Sequence, residues 1–454
     1  MIENQDKLNE QLLDVIRDDN VDEDVRIKQI KFLLRMGADI NYNYGDKIAN
    51  TPLEVATSSR RSNVVDLLIK KGARLSYDDG GFLLETAVVN NDVDTAEVLL
   101  KHNVSANTGN KNGYFAIGTA FILGNVKVFE LLLKYGANPN TVVARHYDND
   151  GTTLLMKAAE KGNVELVKIL LDYKARVHAC DSCKQNVMSY AGVGGKIEIV
   201  EMLLERGAIL ESKEKHKDSV LVKAIKCKHE ELANYLIGKG MDVNACDKEG
   251  VSLLKLACQR GLTSVVKELL DKGASVEDDG EFWETPLVSA ISNGNLEVVK
   301  MLVEKGADVN DRRRLLSDAP LIKAVRYKHK DIVKYLIEKG ADVNNRAGAK
   351  QTALGIASEQ GDLELVKLFL EKGAEVDTKS LVMDNTPLMY ACKEGHIEVV
   401  KELLNHGADV DIKTDRGVDA LGYAEKYGHE EVVSVLKRHI VRQKVKRWFG
   451  GGRE

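Results

Sequence analysis

An alanine recurs through this chain at Ala56, Ala87, Ala120, Ala158, Ala191, Ala224, Ala257, Ala290, Ala324, Ala357, Ala391 and Ala424, and most intervals are 33 or 34 residues. Such a period overrides the ordinary reading of 454 residues as about three globular domains, because stacked repeats share one continuous core. Residues 284–310, ETPLVSAISNGNLEVVKMLVEKGADVN, give the clearest copy. Thr285 can accept a hydrogen bond from an orphan amide at the start of a helix, and Pro286 has no donor to leave unpaired there. Ala290 lies on this short first helix and Gly294 closes it. A second helix places Val298, Val299, Leu302 and Val303 at a spacing near 3.6. Gly306 ends it in the conformation that glycine reaches most easily, and Ala307-Asp308-Val309-Asn310 leads into an extended finger. A unit of this size cannot bury its apolar face alone, so neighbours must stack.

Registered TPLxxA and LLxxGADVN segments at this period resemble the ankyrin repeat over roughly residues 8 to 440. The resemblance implies an all-α solenoid of helix-turn-helix units with short β-turn fingers, curved so that finger tips and first helices line a concave binding face. Twelve registered copies and an N-terminal cap are expected. The histidine of the family's TPLH is absent: Glu54, Val222, Lys255, Val288 and Met389 stand in its place, so hydrogen bonding at the helix starts is expected to differ from the family's.

The organisation reads as an N-terminal capping unit at 1–40, an array at 41–407, a C-terminal capping repeat at 408–440 and a basic amphipathic tail at 441–454. In the first unit, Leu8, Leu12, Leu13 and Ile16 precede an acidic loop (Asp18, Asp19, Asp22, Glu23, Asp24), read as solvated, and Ile27, Ile30, Leu33 and Leu34 follow it. A terminal unit has one neighbour, so its outer face is expected to be polar. The interval from Ala120 to Ala158 is 38 residues, and the excess lengthens the finger at 141–150. Lys174 stands where other copies have glycine, and Gly192, Gly194 and Gly195 crowd one first helix. An interior helical glycine costs roughly 1 kcal/mol relative to alanine, so residues 140–200 are expected to be the softest part of the array. In the tail, Lys437, Arg438, Arg442, Lys444, Lys446 and Arg447 alternate with Ile440, Val441, Val445, Trp448 and Phe449. Its apolar side is expected to cover the last repeat, with membrane docking through 440–449 the alternative.

Formal charge is −5, from 65 basic and 70 acidic side chains, which argues against a nucleic-acid binder needing a strongly basic face. No apolar stretch resembles a signal peptide or a bilayer span, and six scattered cysteines do not form a dense disulfide framework. A cytoplasmic location follows, with secretion into a host cell as an effector of an intracellular bacterium the alternative. No catalytic motif of the GxSxG, HExxH or kinase type is present, and AGVGGK at 191–196 lacks phosphate-loop spacing. No catalytic residue, cofactor or metal is expected. His178, Cys180 and Cys183 make the strongest metal candidate, yet Cys180 repeats as Cys246, so they read as incidental finger residues. Arg145, His146, Asp148 and Asp150 in the long finger lack supporting partners. Cys258 and Cys392 read as core thiols, Cys227 as nearer the surface, and His102, His229, His329, His396, His406 and His429 as helix-end residues.

Another protein is therefore the expected partner of a monomeric, non-enzymatic scaffold or adaptor. The repeat frame places Arg326, Tyr327, Ile122 and Leu123 at the exposed ends of first helices. Three fingers present large groups where polar turns are the rule: Phe282 and Trp283; Arg312, Arg313, Arg314, Leu315 and Leu316; and Leu381, Val382 and Met383. These form the expected partner site, since exposed apolar groups mark interaction surfaces and Trp, Tyr and Arg dominate binding hot spots. Tyr114, Ile122 and Leu123 form a smaller second patch.

Overall fold

The computed structural model describes residues 2–43, 51–75, 77–108, 115–142, 150–210, 218–277, 284–311, 318–345, 351–381 and 383–450; side chains at 2–4, 77–79 and 446–450 fall outside the description. Among the described residues there are 26 helices and no strand, only isolated bridges such as Cys180 with Asn186 and Cys246 with Ser252 at finger bases. Two helices, α1 (Ile2–Arg17) and α2 (Glu23–Arg35), are followed by twelve further pairs. The chain divides into two compact units, Met1–Ser212 and Lys213–Glu454.

Within each unit, first helix packs on first helix and second on second, as Leu253–Arg260 does on Pro286–Ser292 and Thr263–Asp271 on Leu296–Glu304. The registered alanines sit in these seams, and none of the twelve is more than 1% exposed. A larger side chain there would wedge the helices apart. On the second helices Val298, Val299 and Leu302 are buried and Val303 half-buried. Each fully buried aliphatic side chain contributes about 1.5–3 kcal/mol.

Most first-helix starts keep a side-chain cap without the family's histidine; those at Phe115 and Ala319 have none. Thr285 accepts from the Val288 amide at 3.2 Å, and Thr153, Asn186, Ser219, Ser252, Thr352, Thr386 and Asp419 do the same in their own copies. Glu54 completes a reciprocal box by accepting the Thr51 amide at 2.8 Å. At the second-helix ends Gly306 has φ +98°, while Asn103 and Lys174 adopt φ +66° and +61° in its place. Lys174 thus carries the penalty expected of a side chain there.

The structure bears on three expectations. The acidic loop is exposed at Asp18, Asp19, Asp22 and Asp24, and it also makes local bonds: Asp22 caps α2, Asp19 pairs with Arg61, and Glu23 pairs with Arg26. Arg26 is 1% exposed, and also donates to the Val15, Asp18 and Val21 carbonyls. The face of α1 and α2 was expected to be polar, yet Val25, Phe32 and Met36 are exposed on α2 and its end. Finally, helix Glu430–Gly450 runs unbroken through the expected boundary at 440; Val432 and Leu436 are buried and Ile440 is half-buried, while Val441 and Val445 face solvent and the side chains of Trp448 and Phe449 lie outside the description. The buried pair is spaced i, i+4, and residues 441 and 445 are turned about 140–180° away from it, on the opposite side of the helix.

Candidate functional site

Several fingers are fastened to the next by an asparagine. Asn310 accepts the Asp342 amide at 2.8 Å and donates to the Gly340 carbonyl at 2.9 Å, so one planar amide satisfies two backbone groups of the following copy. Asn344 repeats this with Glu375 and Gly373, and Asn107 with Asn138 and Gly136. At Asp377 a carboxylate replaces the amide. It still accepts the Asp409 amide at 3.0 Å, and burial pushes its pKa up. These fingers are therefore mutually braced before any partner arrives, which limits the ordering cost of binding.

The ends of the first helices form a polar surface of paired charges. In the second unit Lys226 lies 3.1 Å from Asp218, 2.9 Å from Asp247 and 3.3 Å from Glu249. Burial alone would lower the pKa of this ammonium, but the Asp247 and Asp218 carboxylates outweigh it and the net shift is upward. For Asp247 burial acts upward, while Lys226 and the Val251 amide pull the carboxyl down. These three carboxylates are the one cluster among the described residues close enough to share a metal, and the cation they hold is Lys226. Further along, Lys323 pairs with Glu284 at 2.6 Å and Arg326 with Asp318 at 2.8 Å.

Against this background a few groups stand out. Tyr327 is exposed, with Lys323 5.2 Å from its ring centre and the His329 ring at 6.1 Å. Tyr427, exposed two repeats beyond the Ala357 copy, has Lys393 at 5.8 Å and Lys426 at 5.5 Å. Leu381 is 68% and Met383 61% exposed on a turn closed by the Ser380 amide to the Asn385 carbonyl at 2.9 Å. They do not fold down onto a neighbouring finger. Phe282, Trp283, Arg312, Arg313, Arg314, Leu315, Leu316 and Val382 lie outside the described residues, as do Tyr114, Arg145, His146 and Asp148.

In the first unit Ile122 and Leu123 are exposed at the end of helix Ala116–Leu123, as the repeat frame places them. Two exposed groups join them that the sequence reading passed over: Val89, at the same place in the preceding copy, and Phe115 at the helix start. The frame that yields Ile122 yields Val89 by subtracting one repeat, so the signal was available. Helices Tyr77–Val89 and Ala116–Leu123 pack together, so Val89 and Ile122 hold equivalent places at the ends of adjoining helices, while Phe115 stands at the opposite end of the second.

The chemistry-bearing residues are dispersed. His178, Cys180 and Cys183 do not converge into a ligand set, and both cysteines are exposed. Asp150 accepts from the Thr152 amide at 2.9 Å, and its carboxyl is held down first by Thr152. His229, His329 and His396 stand at the starts of second helices and His102 and His406 at their ends. Cys258 and Cys392 are buried, and Cys227 is exposed, as the sequence indicates. No described helix is long and apolar enough to cross a membrane.

Stacked helix pairs within each unit, with braced fingers, surface ion pairs and isolated apolar patches, define a helical-repeat binding scaffold. The family profile described as "Ankyrin repeats (3 copies)" matches residues 142–214, 221–313, 311–380 and 354–446, and the chain belongs to the ankyrin repeat family. It is 28% identical over 164 residues to the ankyrin repeat protein FPV031 of Fowlpox virus (strain NVSL), a match covering 35% of this chain and 37% of that protein. Among solved structures, the human ASB11 ankyrin repeat domain is similar at 28% identity and a TM-score of 0.43, over 47% of this chain and 96% of that one. Ankyrin repeats are generally protein–protein interaction modules, and the fold is typically a non-enzymatic binding scaffold.

Proposed function

We propose that this protein is a non-enzymatic adaptor that holds a partner protein on the ends of its first helices and on its fingers. The observation that carries the reading is the exposure of Val89, Ile122 and Leu123 at the ends of two adjoining first helices, with Phe115 exposed at the start of the second. Apolar groups placed this way gain by being covered. In the second unit Tyr327, Arg326, Leu381 and Met383 offer a separate set of anchors, with Tyr427 added by the structure. Four exposed free thiols, Cys180, Cys183, Cys227 and Cys246, suit a reducing compartment such as the cytosol.

Affinity capture with the wild-type chain, an Ile122→Asp, Leu123→Asp variant and a Leu381→Ser, Met383→Ser variant tests this. These side chains are exposed, so the folded state should survive each change. A bound protein lost from at least one variant is expected; partners retained equally by all three would remove the reading.

A further inference from the structure

The face of α1 and α2 turned away from the rest of the first unit is not wholly polar, and no described residue covers its exposed Val25, Phe32 and Met36. Val25, Gln29, Phe32 and Met36 follow one another at i, i+4, i+7 and i+11, which places them in a single line along α2 and just past its end. Phe32 is 60% exposed. Beside this ridge runs a groove of about 520 Å³ lined by Gln11, Val15, Gln29, Phe32 and Leu33, with Asp14 and Lys28 at its rims.

Around the groove the charges lean by helix, acidic on α1 and basic on α2, although Lys7 and Arg17 on α1 and Asp24 on α2 are exposed with the opposite sign. Asp6, Glu10 and Asp14 fall at successive fourth residues of α1 and are all exposed. Lys28, Lys31 and Arg35 do the same for positive charge on α2, at i, i+3 and i+7. None of these six side chains has an ion-pair partner among the described residues. Elsewhere in the same unit such charges do find partners, as Arg206 does with Asp172 at 2.8 Å and Lys70 with Asp66 at 2.7 Å. The buried Arg26 clamps the connection between the helices, so the face is presented as a rigid pair.

A surface with an acidic edge, an apolar centre and a basic edge is complementary to itself. Turning a second copy through a two-fold rotation lays its basic α2 against the acidic α1 of the first, and the reverse, while each Phe32 enters the other's groove. We propose that this face is an isologous docking surface for a second copy of the chain, closing a four-helix contact. The 16 and 13 residues of the two helices span roughly 24 Å by 20 Å. That is a small interface, so the dimer dissociates on dilution. The monomer expected from the sequence is then the dilute form.

Sedimentation equilibrium of the full-length chain is the test, with circular dichroism confirming the fold of each variant. The 50.2 kDa chain should double in mass as its concentration rises to about 100 μM. Phe32→Glu should weaken association by about ten-fold or more, and Met36→Lys provides a second variant at an exposed position. Glu10→Lys with Asp14→Lys, and separately Lys28→Glu with Lys31→Glu, should each stay monomeric alone and associate when mixed. A wild-type chain that stays at monomer mass throughout would overturn the proposal. So would a dimer unaffected by Phe32→Glu, or charge-reversed variants that fail to associate on mixing, the result expected if another protein or a membrane covers this face.

Discussion

Glycine at the turn between the two helices of a repeat answers to a residue in the next repeat. Gly361 has φ +73°, and a Cβ there would lie 2.6 Å from two atoms of the His396 ring. The ring is held in place by its Nε2 bond to the Glu359 carbonyl at 3.0 Å. Gly395 and His429 repeat the arrangement, with Nε2 2.9 Å from the Lys393 carbonyl. Two separate effects therefore oppose a side chain at 361: the left-handed backbone and the neighbouring ring. Gly361→Ala should destabilise the chain by about 1–3 kcal/mol. Combining it with His396→Ala should relieve the steric part and leave the backbone part, giving a non-additive cycle in urea unfolding. Strict additivity of the two changes would show that the ring and the glycine do not interact.

At the scale of the helix, Val187–Gly194 departs furthest from the expectation built on composition. Its three glycines suggested weakness, but they have different tasks. Gly195 has φ +73° and closes the helix in the left-handed conformation. Gly194 lies so close to the Ala159 carbonyl that an added Cβ would overlap its oxygen, and Gly162 meets the Gly194 carbonyl from the other side. The predicted softness of 140–200 therefore rests less on Gly194 and Gly195 than on the long finger, Gly192 and Lys174. Gly194→Ala should lower stability by about 2 kcal/mol or more, since neither backbone can yield without moving a helix. Chemical denaturation would check this; an unchanged midpoint would mean that the two helices are not in this tight contact.

On the scale of the whole molecule, the seams between repeats protect two of the six thiols. Burial pushes the Cys392 thiol up to about 12 and raises Cys258 as well, while Cys180, Cys183, Cys227 and Cys246 are exposed. Since the thiolate is the reactive form, a disulfide reagent should titrate four thiols rapidly in the native protein and all six after unfolding. Cys258 and Cys392 both belong to the second unit, so their slow labelling reports its opening. Six equally fast thiols in the native protein would contradict the packed seams.

The sequence by itself determined the period, the helix pair, the caps and the residues that face the seams. Each follows from local rules of spacing and backbone conformation acting within one repeat, which is why Ala290, Thr285 and Gly306 could be assigned before any coordinates. It also placed Ile122, Leu123, Arg326 and Tyr327 at exposed helix ends, because a register once known carries every position with it. Tertiary structure decided what depends on a neighbour: the burial of Arg26, the ring against Gly361, the close approach at Gly194, the three carboxylates around Lys226 and the uncovered Phe32. Their partners are set by stacking or by the folding back of a loop. A side chain's spacing along its own helix says which way it points, but not what stands there to meet it.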